Sequence, residues 1–528
     1  MNPLETLEDA AWRETARIAV AALARRPGAL GEAARTLKLD PSTPLPHGVP
    51  ALAAHLAALV PEGVRAELER TLDWELHTFR AGRKVETTHR LEPVVPSAVD
   101  GFEAPAAQPG FDADVMAMDL SEPHSMGDLA RYANAYLGNP FVNDAIANGR
   151  AVELHNGTAD EAMATMDARG VRAFFRLATP KLHFHILLGD DLRYAIACDD
   201  GLDMFRHLQK VLRVARSASG GHVEPSRVTR VDHRKDESAY RPARFRRCFE
   251  SSGAIPTKVT VGFKNALLGA LASRAARVAH VRALQRSGLP PALEPLRDFD
   301  AREILRSSAR RAWLDDLLAR AGSSVPEVKL DVACGPDDFL DHSRLAYRDA
   351  HGTRREVLLV RNPYGEAAVA MGAMFRERGV EDVLVYGTAA SLDRASQVGE
   401  LHFASRATSA DGAVHDFENH ALHTRFAELH AQPGTRLGSR VVNVRSPLDE
   451  FDRDIERLRA EGHHLVEMEL AGLLRGLRGG ARVAAVHVVS DVPQSADTLD
   501  GFSPTRAERA LAAAVDVWVE TFGIAELP

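Results

Sequence analysis

In one C-terminal stretch the chain reads Val466-Glu467-Met468-Glu469-Leu470, and an apolar run further on ends in Val489-Ser490-Asp491. The first set of carboxylates heads a helical segment. The second closes the apolar strand Val483–Val489. The C-terminal end of a strand, opening into a crevice, is where α/β proteins hold their ligands. A carboxylate there can accept hydrogen bonds from hydroxyls or hand a proton to a leaving group. Each piece also has a plain structural reading. Ser490 and Asp491 can cap a loop or helix. Glu467 and Glu469 complement a helix dipole. Met468 suits a core. A third candidate is Thr388, in the turn Gly387-Thr388-Ala389-Ala390 after a strand, where a hydroxyl and backbone N–H groups can meet an anion, water or hydroxyl.

Other constellations are weaker. His183 and His185 alternate on one strand face, but no third ligand with suitable spacing accompanies them, so no metal is expected. The His415–His423 cluster contains Phe417, which could stack on a flat ring, though a surface loop explains it as well. The stretch 206–247 is locally basic but lacks the interleaved aromatics of a single-strand platform, so nucleic acid is not an expected partner.

These side chains need elements to hold them. The 528 residues carry a formal charge of −8, too mild for a dedicated polyanion binder. Three cysteines, Cys198, Cys248 and Cys334, make neither a disulfide framework nor a zinc spacing, which fits a reducing cytoplasm. No secretory signal and no membrane span are expected.

Periodicity divides the chain into parts. Residues 1–90 are Ala/Leu-rich with helical spacing and read as a helical domain. Residues 91–111, with Pro93, Pro96, Pro105 and Pro109, read as a linker. Residues 112–325 read as an α+β region, with a hairpin turning at Gly189-Asp190-Asp191, a helix from Leu202 to Arg216, and a mostly helical run over 265–320. Residues 326–528 alternate strand and helix, which predicts a layered α/β domain. The parts before it suit regulation or extra substrate contacts.

The last part resembles the nucleoside phosphorylase superfamily, which includes purine nucleoside phosphorylases and the nucleoside and nucleotide hydrolases. The resemblance is carried in order by Asp331-Val-Ala-Cys334-Gly335, by Val357–Val360 with Asn362-Pro-Tyr-Gly365, by Gly379–Ala390, by Val398-Gly399-Glu400-Leu401, by Val466-Glu467-Met468-Glu469, and by Ser490-Asp491. It implies a cytoplasmic enzyme acting on a small purine nucleoside or nucleotide, without a cofactor, in a family where homo-oligomers are common. It implies that Asp491 protonates the departing purine, with Ser490 beside it. It implies that Glu469 holds the ribose hydroxyls while Met468 packs on the sugar.

The resemblance also bears on the nucleophile. Related phosphorylases often carry Arg two residues before the turn glycine, and here that residue is Val385. Hydrolases need a carboxylate to activate water, and Asp338, or Asp337 beside it, stands about where such a base would fall. A helix cap explains Asp337 and Asp338 equally well. The expectation is therefore hydrolysis of the N-glycosidic bond. Phosphorolysis, with Arg361 or Arg445 as the cation, is the alternative, and a nucleotide-sensing module without catalysis is a third reading. Ala390 replaces the usual second glycine of the turn and could crowd a ligand.

Overall fold

The computed structural model describes residues 104–137, 151–170, 184–189, 194–218, 227–234, 237–325, 342–417, 434–495 and 515–527, apart from positions 252 and 521, together with short strands at 75–76, 89–93, 173–177 and 332–334. Two compact units divide it. One is Met1–Glu122 with Asp128–Asp236. The other is Pro123–Gly127 with Glu237–Pro528.

The first unit holds one sheet of eight strands: β1 (Glu75–Leu76), β2 (His89–Pro93), β3 (Ala107–Pro109), β4 (Val152–Asn156), β5 (Ala173–Leu177), β6 (His185–Gly189), β7 (Tyr194–Cys198) and β8 (Val228–Asp232). Their order is β1-β2-β5-β6-β7-β4-β8-β3. The expected hairpin is β6 and β7, antiparallel, with His185 opposite Ala197. His183 lies outside the described residues. The helix after it runs Leu202–Ala218. The expected linker differs from the fold. Pro93 closes β2, which pairs with β5, and Pro109 closes β3, which pairs with β8 at the sheet's edge. Proline is compatible with an edge, where its missing N–H faces no neighbour. Of residues 1–90, only β1 and the start of β2 are described, so the expected helices there lie outside the described residues.

The second unit holds the other sheet: β9 (Lys258–Val261), β10 (Val332–Cys334), β11 (His342–Arg348), β12 (Arg354–Val360), β13 (Asp382–Ser391), β14 (Leu401–Thr408), β15 (Val414–Asp416), β16 (Thr435–Asn443), β17 (Leu465–Glu467) and β18 (Arg482–Asp491). Strands β13, β17, β16, β14 and β18 pair in a closed ring, since β18 bonds both β13 and β14. Closure leaves the ring strands no free edge. Beside it β12, β9 and β13 run parallel.

This boundary differs from position 326. Besides Pro123–Gly127, the unit takes in the chain from Glu237 rather than from 326, and its inner strand is β9. The four residues Lys-Val-Thr-Val pass unnoticed between helices, but Val259 and Val261 are fully buried between β12 and β13. By contrast β10, expected as the opening strand, is an edge strand antiparallel to β11.

Apolar alternation sends side chains to both faces, as strands buried on both sides require. One face packs Leu384, Tyr386, Val486 and Val488 against the long helix Lys264–Ser287 and Trp518. The indole N–H of Trp518 donates to Thr260 Oγ1 at 2.8 Å. The other face packs Val383, Val385, Ala485 and Val489 against the helices Glu237–Glu250, Ala367–Glu377 and Leu470–Leu477. The last two touch backbone to backbone. A Cβ on Gly476 would fall onto Val369 O and lie 2.7 Å from Ala373 N.

Candidate active site

The parallel strands β12, β9, β13 and β18 end on the same side of the sheet. Ala390, near the end of β13, pairs with Val466 of β17 on one side and with Asp491 of β18 on the other. The ladder shifts register between Ala389 and Ala390, so a bulge sits where the two carboxylate segments flank the strand. Bulges of this kind re-aim side chains. The two carboxylate segments read in the sequence are therefore separated by one strand. Ala390 itself is buried and faces a small apolar cluster with Leu392, Val442 and Ile455.

Burial sets the chemistry here. Asp491 is 4% exposed, and Ser490 Oγ donates to its Oδ1 at 2.6 Å. Desolvation raises its pKa to about 6, with the Ser490 hydrogen bond opposing the rise. Glu467 caps the helix Leu470–Leu477: it accepts from Glu469 N at 2.8 Å and from Leu470 N at 3.0 Å. Burial lifts its pKa to about 7 against those two bonds. Glu469 is half-buried at the helix N-cap. Burial, and then the neighbouring Glu467, hold it well above the ordinary carboxylate range, while Arg361 pulls the other way. Both shifts favour the protonated forms, and a protonated carboxyl can donate as well as accept.

Glu450 was not foreseen. It is 7% exposed, its carbonyl accepts from Ser125 N at 3.1 Å, and burial followed by the Asp491 charge pushes its carboxyl up. Arg361 was raised only as a stand-in cation. It follows β12 and is half-buried, whereas Arg445, after β16, is exposed. Val385, where a cation is wanted for phosphate, is 3% exposed in the apolar core.

The other expected residues divide. Thr388 is half-buried on β13, opposite Val488. Met468 is half-buried between the two glutamates. Phe417 lies elsewhere. Its N–H bonds Ser405 O at 3.0 Å, and it shares a cavity of about 780 Å³ with Leu474, Leu477 and Val483. Val483 is the second residue of β18 and Asp491 its last, so Phe417 sits at the strand's opposite end from the acid. Asp337 and Asp338 lie outside the described residues.

A polar row crosses the sheet below this end. His487 on β18 stands beside Gly387 on β13 and directly opposite His402 on β14. Both histidines are almost fully buried. His402 Nδ1 lies 3.1 Å from Ser439 Oγ. Asn362, just beyond β12, reaches across: a Cβ on Gly387 would lie 3.2 Å from its Nδ2, and one on Gly262 would lie 3.0 Å from its Oδ1. The sequence signal was a lone histidine inside the apolar run of β18.

No family model and no curated protein matches this chain. Solved structures do. The chain is similar to an S-adenosylhomocysteine nucleosidase from Streptococcus pyogenes bound to a methylthiotubercidin, at 15% identity over 36% of this chain and 88% of that one, with a TM-score of 0.30. It is similar to a 5'-methylthioadenosine/S-adenosylhomocysteine nucleosidase from Neisseria meningitidis in complex with methylthio-immucillin-A, at 15% identity over 36% and 90%, TM-score 0.30. It is also similar to futalosine hydrolase from Helicobacter pylori, at 17% identity over 36% and 89%, TM-score 0.30. These are members of the nucleoside phosphorylase and nucleosidase superfamily.

Proposed function

We propose that the second unit hydrolyses the N-glycosidic bond of a purine nucleoside or nucleotide. The observation that carries this reading is the pair of buried carboxyl segments flanking Ala390, one ending in Asp491 and one in Glu469. Cleaving the bond sends its electron pair to the base and leaves positive charge on the sugar. Asp491, with its pKa near 6, keeps a protonated fraction at neutral pH and delivers a proton to the base. Glu469, able to donate and accept, holds a vicinal diol, with Met468 against the sugar. Thr388 adds a hydroxyl. Water then bonds the anomeric carbon. Asp338 or Asp337 remains a candidate for its base.

One observation favours a second reading. Arg361 influences Glu469 and could hold phosphate, which would make the reaction a phosphorolysis.

The test is a panel of purine nucleosides and nucleotides with and without phosphate, assayed for free base. Asp491→Asn should cut release about a hundredfold or more, as loss of a positioned acid does. Glu469→Gln should raise KM and lower kcat together. Full activity of both variants on every active substrate would refute these roles.

A further inference from the structure

Among the described residues, three polar atoms of the row beneath the strand ends have no hydrogen-bond partner: Oδ1 of Asn362, Nδ1 of His487 and Nε2 of His402. His487 is 1% exposed and His402 0%. The nearest carboxylate to His402, that of Glu400, is 3.8 Å from Nε2, beyond hydrogen-bond reach. Buried polar atoms are rarely left unmatched, because each one costs about 1–3 kcal/mol. Orphans grouped on one face ask for a shared small partner, and a water needs two to four polar contacts.

At Gly387 a Cβ would meet one side-chain atom within 4 Å, Asn362 Nδ2 at 3.2 Å. Gly387 and His487 are register partners in parallel strands, so their side-chain directions share a face. Gly387 has no side chain, and the Asn362 amide lies over it from the other flank. Asn362 and His487 thus stand on either side of one bare backbone position. That position immediately precedes Thr388 and is three residues, about 10 Å of strand, before Ala390 and the acid. Burial and the neighbouring His402 keep the His487 imidazole neutral, its pKa lowered to about 3. A neutral ring retains one acceptor nitrogen.

We propose that His487 and Asn362 hold the attacking water of this reaction above Gly387, His487 taking its proton. This inference rests on the hydrolytic reading. The water oxygen bonds the anomeric carbon as the carbon–nitrogen bond breaks. The bond's electron pair leaves with the base, which receives the proton of Asp491. The water's proton passes to His487 Nδ1 and then to solvent, and solvent reprotonates Asp491. The products are free base and free sugar. The assignment gives the reaction a proton acceptor that is not a carboxylate. The cation-forming transition state asks little of the nucleophile but its position.

Full-length protein, with His487→Gln and Asn362→Ala variants, tests this on the best substrate of the panel. Turnover is run in water containing methanol, and sugar and methyl glycoside are weighed separately. Affinity for the released base is measured in parallel, since the base meets Asp491 and not the water. His487→Gln and Asn362→Ala should each lower kcat about a hundredfold and raise the methyl glycoside share severalfold, with base affinity within about twofold of wild type. Wild-type kcat and product ratio in both row variants would overturn the assignment while the hydrolytic reading stands. Loss of base affinity along with activity in both would make the row structural and overturn it too. If wild type releases no base from any substrate, the hydrolytic reading fails and the assignment falls with it.

Discussion

Replacing Asp491 with asparagine should stabilise the protein at the pH where it disables it. The folded-state pKa of about 6 lies above the ordinary 3.8, about two units. One unit is worth about 1.4 kcal/mol, so keeping this group ionised in the fold costs about 3 kcal/mol. Because the folded pKa is raised, the cost is absent below about pH 4, develops between pH 4 and 6, and is complete above that range. Linkage gives about 1 kcal/mol of it at pH 4.5, leaving about 2 kcal/mol to appear between pH 4.5 and 8. Asparagine carries no charge to desolvate, and its amide oxygen can still accept from Ser490. Asp491 also burdens Glu450, so relief there acts in the same direction. Urea unfolding of wild type and Asp491→Asn at several pH values measures the gap. It should move in favour of the variant by about 2 kcal/mol from pH 4.5 to 8. The change with pH, not its absolute value, carries the test, because the amide's own pairing shifts both ends equally. A gap that stays flat, or narrows as pH rises, would refute the picture of a desolvated acid.

The same pKa shapes activity. If protonated Asp491 is the working form, kcat/KM for base release should fall about tenfold per pH unit above about 6, and a profile rising through that range would contradict it. Gly476→Ala should drive the helix Leu470–Leu477 off Ala367–Glu377, because its Cβ meets backbone that cannot yield. A loss of about 3 kcal/mol or more in urea unfolding is expected, with a raised KM from the displaced Glu469, and a neutral result would put the helix packing in question. Trp518→Phe should cost about 1–2 kcal/mol, because it leaves the buried Thr260 hydroxyl without its indole donor. Denaturation midpoints read this directly.

Much of the second unit was legible because its signals are local. Apolar runs bounded by charged residues mark β13 and β18, and the carboxylates beyond them fall at strand ends by construction. The β6–β7 hairpin announces itself by its Gly-Asp-Asp turn. What stayed hidden depends on pairing between distant segments. Val259 is only a short strand residue until Leu358 and Val383 close over it from both sides. Pro109 suggests a linker until β8 gives it an edge to join. Phe417 directly follows β15, which returns along β14 only as far as Ser405, short of the start of β14 that lies beside Val488 and His487. The raised pKa values were invisible too. They come from burial, and the sequence around Glu467 and Glu469 offers only helix-start chemistry.

The central claim is that water, and not phosphate, breaks an N-glycosidic bond here. One measurement reaches it most directly: single-turnover cleavage of the best purine substrate in oxygen-18 water, with and without inorganic phosphate, followed by mass analysis of the sugar. Hydrolysis predicts one heavy oxygen at the anomeric carbon and the same rate in both conditions. A sugar 1-phosphate formed only when phosphate is added would contradict it and pass the role of nucleophile holder to Arg361.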